Sequence, residues 1–261
     1  MSHTPRKRFG QNFLVDQQVI ERIVASINPQ AEDTLVEIGP GQGALTRPLL
    51  ASGCKLHVLE IDRDLIAKMR LQNLVEQHQE KRFFLHQADA LQVDLNAVVG
   101  DGEFKLVGNL PYNISTPLIF RTFSWRKQIS EMTFMLQKEV VERMAASAGD
   151  GKSYGRLSVM TQYYCKVEAL FEVPPTAFFP APKVDSAIVR LVPYKNLPVT
   201  VNNTDKFDQV VKAAFGMRRK TLRNALKPLF SAEQISAAGI DPAARAEQLS
   251  LESFATLANI S

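Results

Sequence analysis

The segment TLVEIGPGQGALT, residues 34–46, carries the clearest signal for the architecture of this 261-residue chain. Its opening part, Thr34–Ile38, is apolar and rich in β-formers, which predicts a buried strand. Glycines stand at positions 39, 41 and 43, where the backbone can approach a ligand closely. A helix is predicted to begin directly afterwards, and its free N–H groups favour a ligand at the end of the strand. A tight strand-to-helix turn without a ligand is the alternative interpretation.

Apolar, β-rich runs alternate with helical patterns along most of the chain. Residues 17–27 repeat apolar side chains at spacings of three and four after Asp16, which predicts a capped helix. Strands are predicted at residues 34–38, 55–61, 82–87, 104–107 and 132–136. Later helices are predicted at residues 138–144 and 157–164, and later strands at 167–171 and 186–191. This alternation predicts an α/β fold with a doubly wound, mostly parallel Rossmann-like sheet and antiparallel strands at its late edge.

The pattern changes after residues 193–203, which are rich in proline and asparagine and are typical of a linker. Everything beyond them is helical by period. We therefore expect two domains. Residues 1–195 form an α/β ligand-binding domain with a basic N-terminal arm, and residues 196–261 form a small all-α domain.

The composition is that of a globular protein, with 45% hydrophobic and 22% charged residues. No apolar run approaches the roughly 18 residues that a membrane span needs, and the N-terminus lacks the apolar stretch of a signal peptide. The two cysteines are too few for a disulfide framework, and the four histidines show no ligand spacing with them. The sequence therefore predicts a cytoplasmic protein without a membrane segment or a metal.

Positive charge is concentrated in two tracts without acidic residues, 1–15 and 209–230. The whole chain has a formal net charge of only +4 at pH 7, so the rest of it is mildly acidic. This distribution is expected if one face of the protein meets a polyanion. A solvated basic surface without a partner is the alternative interpretation.

Acidic residues lie at the ends of the first three predicted strands. Glu37 lies just before the glycine turn, Glu60 ends the next strand, and Asp89 closes the third in the sequence QADA. A carboxylate at Glu60 can accept both hydroxyls of a ribose, and one at Asp89 can accept from an adenine amino group. The G-x-G-x-G spacing differs from the G-x-G-x-x-G of nicotinamide dinucleotide sites. These positions predict a ligand that contains a nucleoside but is not a nicotinamide dinucleotide.

The segment GNLPY, residues 108–112, follows the fourth predicted strand. It offers no nucleophile, general base or metal-ligand set, which argues against hydrolysis. Because Pro111 restricts Leu110, the side-chain oxygen of Asn109 and the carbonyl oxygen of Leu110 can point at one NH₂ group. Two acceptors on an adenine N6 favour a pyramidal nitrogen that can attack a methyl sulfonium. Tyr112 would stack on the base, which must leave its helix or loop to reach this site.

A second ring is expected on the other face of the base. Our candidate is Phe178, in the proline-stiffened segment AFFPAPK, residues 177–183. The alternative is that Phe178 and Phe179 belong to the core and that the prolines form a plain turn.

These segments resemble one family, the KsgA-type dimethyladenosine transferases, and the similarity extends over nearly the whole chain. The matching parts are residues 8–14 (RFGQNFL), 37–46, Glu60 with Asp62, Asp89 with Ala90, 108–115, Phe178, 180–187, and Phe215 with 218–224 (RRKTLRN). Members of this family use S-adenosylmethionine to convert two adjacent adenosines near the 3′ end of small-subunit (16S) ribosomal RNA to N6,N6-dimethyladenosine. The resemblance implies the same reaction here, with residues 1–195 as the methyltransferase domain.

The resemblance also implies a role for each matching residue. The expected cofactor contacts are Gln11, Asn12, Leu14, Gly39, Gly41, Glu60, Ile61, Asp89, Ala90 and Asn109. The expected catalytic residues are Asn109, Leu110, Pro111, Tyr112 and Phe178, with Tyr112 and Phe178 clamping the base. The expected RNA contacts are Arg6, Lys7, Arg8, Lys183, Arg218, Arg219, Lys220 and Arg223, the last four on a basic helix over 218–227. The implied partners are the small ribosomal subunit and its 16S rRNA, and a monomer is expected.

Other classes fit the sequence less well. Erythromycin-resistance methyltransferases, which act on large-subunit RNA with the same cofactor core, usually carry Asn where Asp185 stands and have a different helical tail. Residues 11–14 and the tail disfavour a DNA adenine-N6 methyltransferase, and the glycine spacing disfavours a nicotinamide dehydrogenase. A ribosome-assembly factor whose binding matters more than methylation would carry the same surface, so that alternative stays open.

Overall fold

A computed structural model describes residues 12–71, apart from the side chain of Leu71, and residues 82–260. The strands are β1 (Phe13–Leu14), β2 (Thr34–Ile38), β3 (Lys55–Glu60), β4 (Phe83–Gln87), β5 (Phe104–Asn109), β6 (Ile129–Gln137), β7 (Cys165–Val173), β8 (Phe178–Phe179) and β9 (Ser186–Pro193). The helices are α1 (Gln17–Ile27), α2 (Thr46–Ala51), α3 (Arg63–Leu71), α4 (Leu95–Val99), α5 (Ser115–Thr122), α6 (Lys138–Ala145), α7 (Arg156–Tyr164), α8 (Thr204–Gly216), α9 (Leu222–Ala225), α10 (Ala232–Ala237) and α11 (Leu251–Ala258). Among these helices, none is both long and apolar enough to cross a membrane.

The main sheet has the strand order β4-β3-β2-β5-β6-β9-β7. Strand β2 pairs in parallel with β3 on one side and with β5 on the other. The pairs β3–β4 and β5–β6 are also parallel, whereas β9 runs antiparallel to β6. From β2 the chain adds β3 and β4 on one side of the sheet and then returns to add β5 on the other side of β2. This reversal of strand order opens a crevice between the carboxyl ends of β2 and β5, where such sheets bind ligands. The doubly wound, mostly parallel sheet predicted from the sequence is confirmed.

The limits of the elements agree closely with the sequence patterns. Helix α1 and strand β2 begin and end at the predicted residues, and the other predicted strands are confirmed with ends shifted by at most three residues. The Asp16 carboxylate caps α1 by accepting from the Val19 N–H at 3.1 Å. Asn28 ends α1 in the left-handed region, with φ of 46°, which asparagine tolerates better than most residues.

A cluster of buried apolar side chains packs around these strands and holds them in place. It includes Leu14, Ile20, Ile23, Leu35, Leu49, Leu56, Val58, Val107, Phe178 and Ile188. Burial of each such side chain stabilises the fold by about 1.5–3 kcal/mol. The strand ends are therefore held on a rigid base.

The described chain divides into two compact units. The first consists of the residues up to Val141 together with Glu168–Pro193, and the second consists of Glu142–Val167 together with the residues from Tyr194 onward. The predicted boundary at 195/196 lies beside the point after Pro193 where the chain passes from the first unit to the second. Residues 142–167, however, were predicted to belong to the first domain and lie in the second unit. The physical reason is helix α7, which is buried around most of its circumference and packs against α8 and α11.

The second unit is helical apart from the first residues of β7, as expected of the tail, but the predicted basic helix over 218–227 is wrong. Helix α8 ends at Gly216, Thr221 is the N-cap of the next helix, and only Leu222–Ala225 is helical. The Arg218 guanidinium lies in the intervening turn and donates to three backbone carbonyl oxygens of one loop. These are the oxygens of Gly151 at 3.1 Å, Lys152 at 3.0 Å and Tyr154 at 2.7 Å. Those bonds favour a turn over a continuous helix.

Candidate functional site

A cavity of about 220 Å³ opens at the carboxyl ends of β2, β3, β4 and β5. The sheet brings together here twelve residues that the sequence predicted for cofactor or catalysis. They are Asn12, Leu14, Gly39, Gly41, Glu60, Ile61, Asp89, Ala90, Asn109, Leu110, Pro111 and Tyr112. Their convergence at the switch point of the sheet makes this cavity the candidate site.

The glycine turn forms one wall of the cavity. Gly39 and Gly41 have φ of 66° and 59°, in the left-handed region that favours glycine. The Gly39 N–H donates to the Leu59 carbonyl oxygen at 2.9 Å, which ties the turn to β3. A Cβ on Gly41 would lie 3.0 Å from the Phe13 ring. The missing side chain therefore lets β1 close over the turn.

Glu60 presents a buried carboxylate to the cavity at the end of β3. The residue is 6% exposed, and its Oε1 atom accepts from the backbone N–H groups of Ile61 at 2.9 Å and Asp62 at 2.8 Å. Burial raises the pKa of this carboxyl, whereas these N–H groups and that of Gly41 lower it. The main chain thus orients the carboxylate and offsets part of the cost of burying its charge.

Glu37, near the end of β2, is a second buried carboxyl of the same cavity. Its Oε2 atom accepts from the Thr46 hydroxyl at 2.7 Å, which links β2 to α2. Burial raises its pKa from 4.5 to about 7, the Thr46 hydrogen bond acts in the opposite direction, and the charge of Glu60 adds to the rise. Glu37 therefore holds a proton in mildly acidic solution, where an exposed glutamate would be ionised.

Asp89 stands at the next position along this edge, after β4. Its Oδ1 atom accepts from the Leu91 N–H at 2.9 Å and its Oδ2 atom from the Gln92 side-chain amide at 3.0 Å. The turn that follows Asp89 thus orients its carboxylate locally. Within the described residues, no three His, Cys, Asp or Glu side chains are grouped so that they could hold a metal ion.

Asn109 and Leu110 supply acceptors on the opposite side of the cavity. The Asn109 amide nitrogen donates to the Asn12 carbonyl oxygen at 3.2 Å. The Leu110 N–H donates to the Met135 carbonyl oxygen at 3.2 Å, which holds the main chain. Among the described residues, none donates a hydrogen bond to the Asn109 side-chain oxygen or to the Leu110 carbonyl oxygen. Both residues line the cavity, and within the described residues these two oxygens have acceptor capacity that is not used.

Gly108, which the sequence interpretation left without a role, allows this geometry. A Cβ at Gly108 would lie 2.6 Å from the Ile38 carbonyl oxygen and 3.1 Å from the Leu110 side chain. Atoms of Ile38 and Leu110 occupy the space that a side chain would need, so only glycine fits where β5 approaches β2. The sequence offered one indication of this role, since Gly108 is the first residue of the GNLPY segment.

Tyr112 lines the cavity with its hydroxyl held from behind. That hydroxyl lies 2.7 Å from the hydroxyl of Ser186, the fully buried first residue of β9. The Tyr112 carbonyl oxygen accepts from the Ser115 hydroxyl at 3.1 Å, at the start of α5. Burial raises the pKa of Tyr112, and the bond to Ser186 lowers it. The ring is thus fixed at both its backbone and its hydroxyl end.

Phe178, which the sequence predicts as the second ring beside the base, is not among the residues that line the cavity. It is 4% exposed and belongs to the buried apolar cluster, as the alternative interpretation expected of both rings, but that interpretation is wrong for Phe179. Strand β8 pairs with β1 so that Phe178 lies opposite Leu14, while Phe179 lies opposite Phe13. Because neighbouring strand residues face opposite sides, Phe179 is turned outward and is 68% exposed. The accessible ring is Phe179.

The predicted RNA contacts fall into three groups. Arg6, Lys7, Arg8 and the predicted cofactor contact Gln11 lie outside the described residues. Exposed side chains are found at Lys183, Arg219, Lys220 and Arg223. Arg218 instead donates to the backbone carbonyl oxygens of the 151–154 loop, so its role is at least partly structural.

Several lining residues were not predicted from the sequence. They are Phe13, Ile38, Pro40, Gln42, Ala44, Leu45, Leu59, Leu65, Ala88, Leu91, Asn113 and Ile114. Most are apolar and look like ordinary core residues in the sequence. Phe13 had a signal, because it lies between two predicted contacts, but its packing on Gly41 depends on the pairing of β1 with β8.

Comparison with known proteins extends this picture. The profile of the ribosomal RNA adenine dimethylase family matches residues 2–261. The ribosomal RNA small subunit methyltransferase A of Pseudomonas aeruginosa is 55% identical over 258 residues, which are 98% of this chain and 94% of that protein.

Two solved structures are similar over nearly the whole chain. A dimethyladenosine transferase from Plasmodium falciparum has a TM-score of 0.79 at 27% identity, covering 94% of this chain and 95% of the other. The 23S rRNA methyltransferase ErmE has a TM-score of 0.72 at 25% identity, covering 95% of this chain and 98% of the other.

Proposed function

Because this chain belongs to the ribosomal RNA adenine dimethylase family, we propose that it dimethylates two adjacent adenosines near the 3′ end of small-subunit (16S) rRNA. The methyl donor is S-adenosylmethionine, and the product is N6,N6-dimethyladenosine. The observation that carries the proposal is the pair of acceptors at Asn109 and Leu110, beside the Tyr112 ring and in the same cavity as the Glu60 carboxylate.

The residues of the cavity fit S-adenosylmethionine. Glu60 offers a buried carboxylate, oriented by main-chain N–H groups, for the ribose hydroxyls. Asp89 offers acceptors for the adenine amino group. At Gly39 the backbone is open to the methionine part, because no side chain projects there and a Cβ would come no closer than 3.9 Å to the Asn109 carbonyl oxygen. When bound, S-adenosylmethionine supplies a methyl group on a positively charged sulfur.

The protein's own contribution to the transfer is orientation and polarity. The Asn109 side-chain oxygen and the Leu110 carbonyl oxygen accept the two N–H groups of the target N6. This interaction favours a pyramidal nitrogen whose lone pair is free to attack. Tyr112 supports the flipped base by stacking, with its hydroxyl held by Ser186. Transfer would break the methyl–sulfur bond as the bond between N6 and the methyl carbon forms, leaving an uncharged thioether. The N6 proton would pass to solvent, because neither acceptor is a base.

The RNA partner is supported by exposed basic side chains of the second unit. Arg219, Lys220 and Arg223 are exposed, and such cations bind phosphates without choosing a sequence.

We expect Arg219→Ala with Lys220→Ala to weaken RNA binding and to reduce the slope of log K against log salt by about two. Arg218→Ala should instead lower the melting temperature, because it releases the 151–154 loop. An unchanged salt dependence of binding in the double variant would mean that Arg219 and Lys220 do not contact RNA and belong to a solvated surface.

The experiment that tests the function uses labelled S-adenosylmethionine with unmodified small and large ribosomal subunits in separate reactions. Nucleosides are then analysed by mass spectrometry. Labelled dimethyladenosine in small-subunit RNA alone is the expected result. Label in large-subunit RNA would instead support a reaction like that of the 23S rRNA methyltransferase, and binding to small subunits without label would support a role in assembly only.

A further inference from the structure

Phe179 has the largest exposed fraction of any large apolar side chain in the described part of the chain, at 68%. It follows the buried Phe178 in β8 and begins the exposed stretch FPAPKVD, residues 179–185. Val184 in that stretch is also exposed, at 45%. A single exposed apolar side chain is ordinary on a protein surface, so the position of this ring relative to the cavity decides whether a partner covers it.

The position of Phe179 relates it to the cavity. It pairs with Phe13 across the antiparallel β1–β8 ribbon, and directly paired residues carry their side chains on the same face. Phe13 lines the cavity and packs on the glycine turn at Gly41. Phe179 is therefore the outer neighbour of a cavity wall.

The far end of the same stretch leads to the substrate side. Strand β9 begins at Ser186, whose hydroxyl contacts that of Tyr112. The exposed ring and the exposed cation Lys183 thus lie on one short connection between the cofactor wall and the residue that stacks on the target base.

We propose that Phe179 stacks on a nucleotide adjacent to the target adenosine, with Lys183 close to its phosphate. This inference rests on the proposed function. An adenosine turned into the cavity leaves its neighbour unstacked on one side, and an exposed ring replaces the lost stacking partner. A nucleotide has a flat base and a negatively charged phosphate, which match the ring and the cation of this loop.

Steady-state methylation of small subunits tests the proposal with Phe179→Ala, Phe179→Leu and Phe179→Trp. Removal of one base-stacking contact should raise KM for the particle about tenfold in the alanine and leucine variants. The tryptophan variant should stay within about twofold of the original protein, because it keeps a flat ring. Affinity for S-adenosylmethionine, kcat and melting temperature should not change, since the ring is exposed and outside the cavity. Val184→Ala, an exposed apolar change on the same loop, is the matched control and should leave KM unchanged.

A direct probe is a short single-stranded RNA with 2-aminopurine beside the adenosine. Its fluorescence should be quenched on binding to the original protein and to Phe179→Trp, but not on binding to Phe179→Ala. If the original protein methylates small subunits and Phe179→Ala has the same KM and the same quenching, this inference is overturned while the proposed function stands. If the original protein methylates neither subunit, the proposed function itself has failed.

Discussion

The two sides of the cavity are built by different means. At the ends of β2 and β3, main-chain N–H groups orient the Glu60 carboxylate, and a hydroxyl from the next helix holds Glu37. At the end of β5, the acceptors of Asn109 and Leu110 are held by contacts to residues far away in the chain, Asn12 and Met135. The first side is local in sequence, and the second depends on tertiary pairing.

This difference indicates which side tolerates change. A carboxylate fixed by the turn that follows it keeps its orientation as long as that turn folds. An amide fixed by a distant carbonyl loses its orientation when either partner moves. We therefore expect the β5 side to respond more sharply to substitution than the β2 and β3 side.

The largest effect should follow Asn109→Ala. In the proposed reaction it removes an acceptor for the N–H of the target nitrogen, and loss of one such group costs about 100- to 1,000-fold in rate. Binding of small subunits should be almost unchanged, because no phosphate contact is lost. Single-turnover methylation and particle binding measure the two quantities, and an equal loss of both would assign Asn109 to binding instead.

The carboxylate side should show its strongest effect as a pH dependence of stability at Glu37. Its pKa is about 7 in the folded protein and 4.5 as the reference value, so its contribution to stability is fully present below pH 4.5 and lost as pH rises through 7. The free energy of unfolding should fall by about 3 kcal/mol over that range because of this group. Glu37→Gln, which keeps the acceptor for Thr46, should remove this part of the pH dependence.

Urea unfolding at several pH values between 5 and 8 measures the difference between Glu37→Gln and the original protein. The buried His57, whose pKa is lowered to about 4, is present in both proteins and cancels. Glu103→Gln changes an exposed glutamate and serves as control. Parallel curves for Glu37→Gln and the original protein would show that Glu37 does not titrate in this range.

A third test concerns the close approach of β5 to β2 at Gly108, which positions the strands and not the side chains of the cavity. Gly108→Ala should destabilise the protein by about 1–3 kcal/mol, because its Cβ would meet the Ile38 carbonyl oxygen at 2.6 Å. Gly102→Ala is the matched control, since a Cβ there would have no atom within 4 Å. Chemical denaturation of both variants measures the effect, and equal stability would mean that β2 and β5 can separate without cost.

The smallest expected effect concerns the bond between Tyr112 and Ser186. Tyr112→Phe and Ser186→Ala each break the same 2.7 Å contact, so their effects on kcat should be non-additive, with a coupling energy of about 1 kcal/mol. The ratio of monomethyl to dimethyl product should rise in both, because the second transfer needs the ring to hold a larger group. Additive effects would show that Ser186 does not act through Tyr112.

The fold and the strand-end acids were accessible to sequence reasoning because their signals are local. The run 34–38, the glycine turn and the carboxylates of Glu37, Glu60 and Asp89 all follow from strand ends meeting at one edge of a parallel sheet. Residues 142–167 were predicted to belong to the first domain, but they lie in the helical unit. The apolar pattern of α7 predicts a buried helix without indicating that α8 and α11 pack against it.

The aromatic assignments show the limit of local reasoning. Phe178 and Phe179 are identical in chemistry, and only the register of β8 against β1 decides which ring enters the core. A shift of one residue in that pairing would exchange their roles. The turn at 217–221 was likewise missed, because Arg218 contacts a loop more than sixty residues away, which a local sequence pattern does not reveal.

The contact between Asn12 and Asn109 decides which end of the Asn109 amide, donor or acceptor, would face the target nitrogen of the proposed reaction. An asparagine amide has a donor end and an acceptor end of almost the same shape, and a half-turn about its last bond exchanges them. The Asn12 carbonyl oxygen accepts only from the nitrogen, so it selects the rotamer that turns the oxygen elsewhere. The chain at position 12 therefore sets the polarity of the Asn109 amide, and in the proposed reaction a half-turned Asn109 would present a donor where the target N–H requires an acceptor.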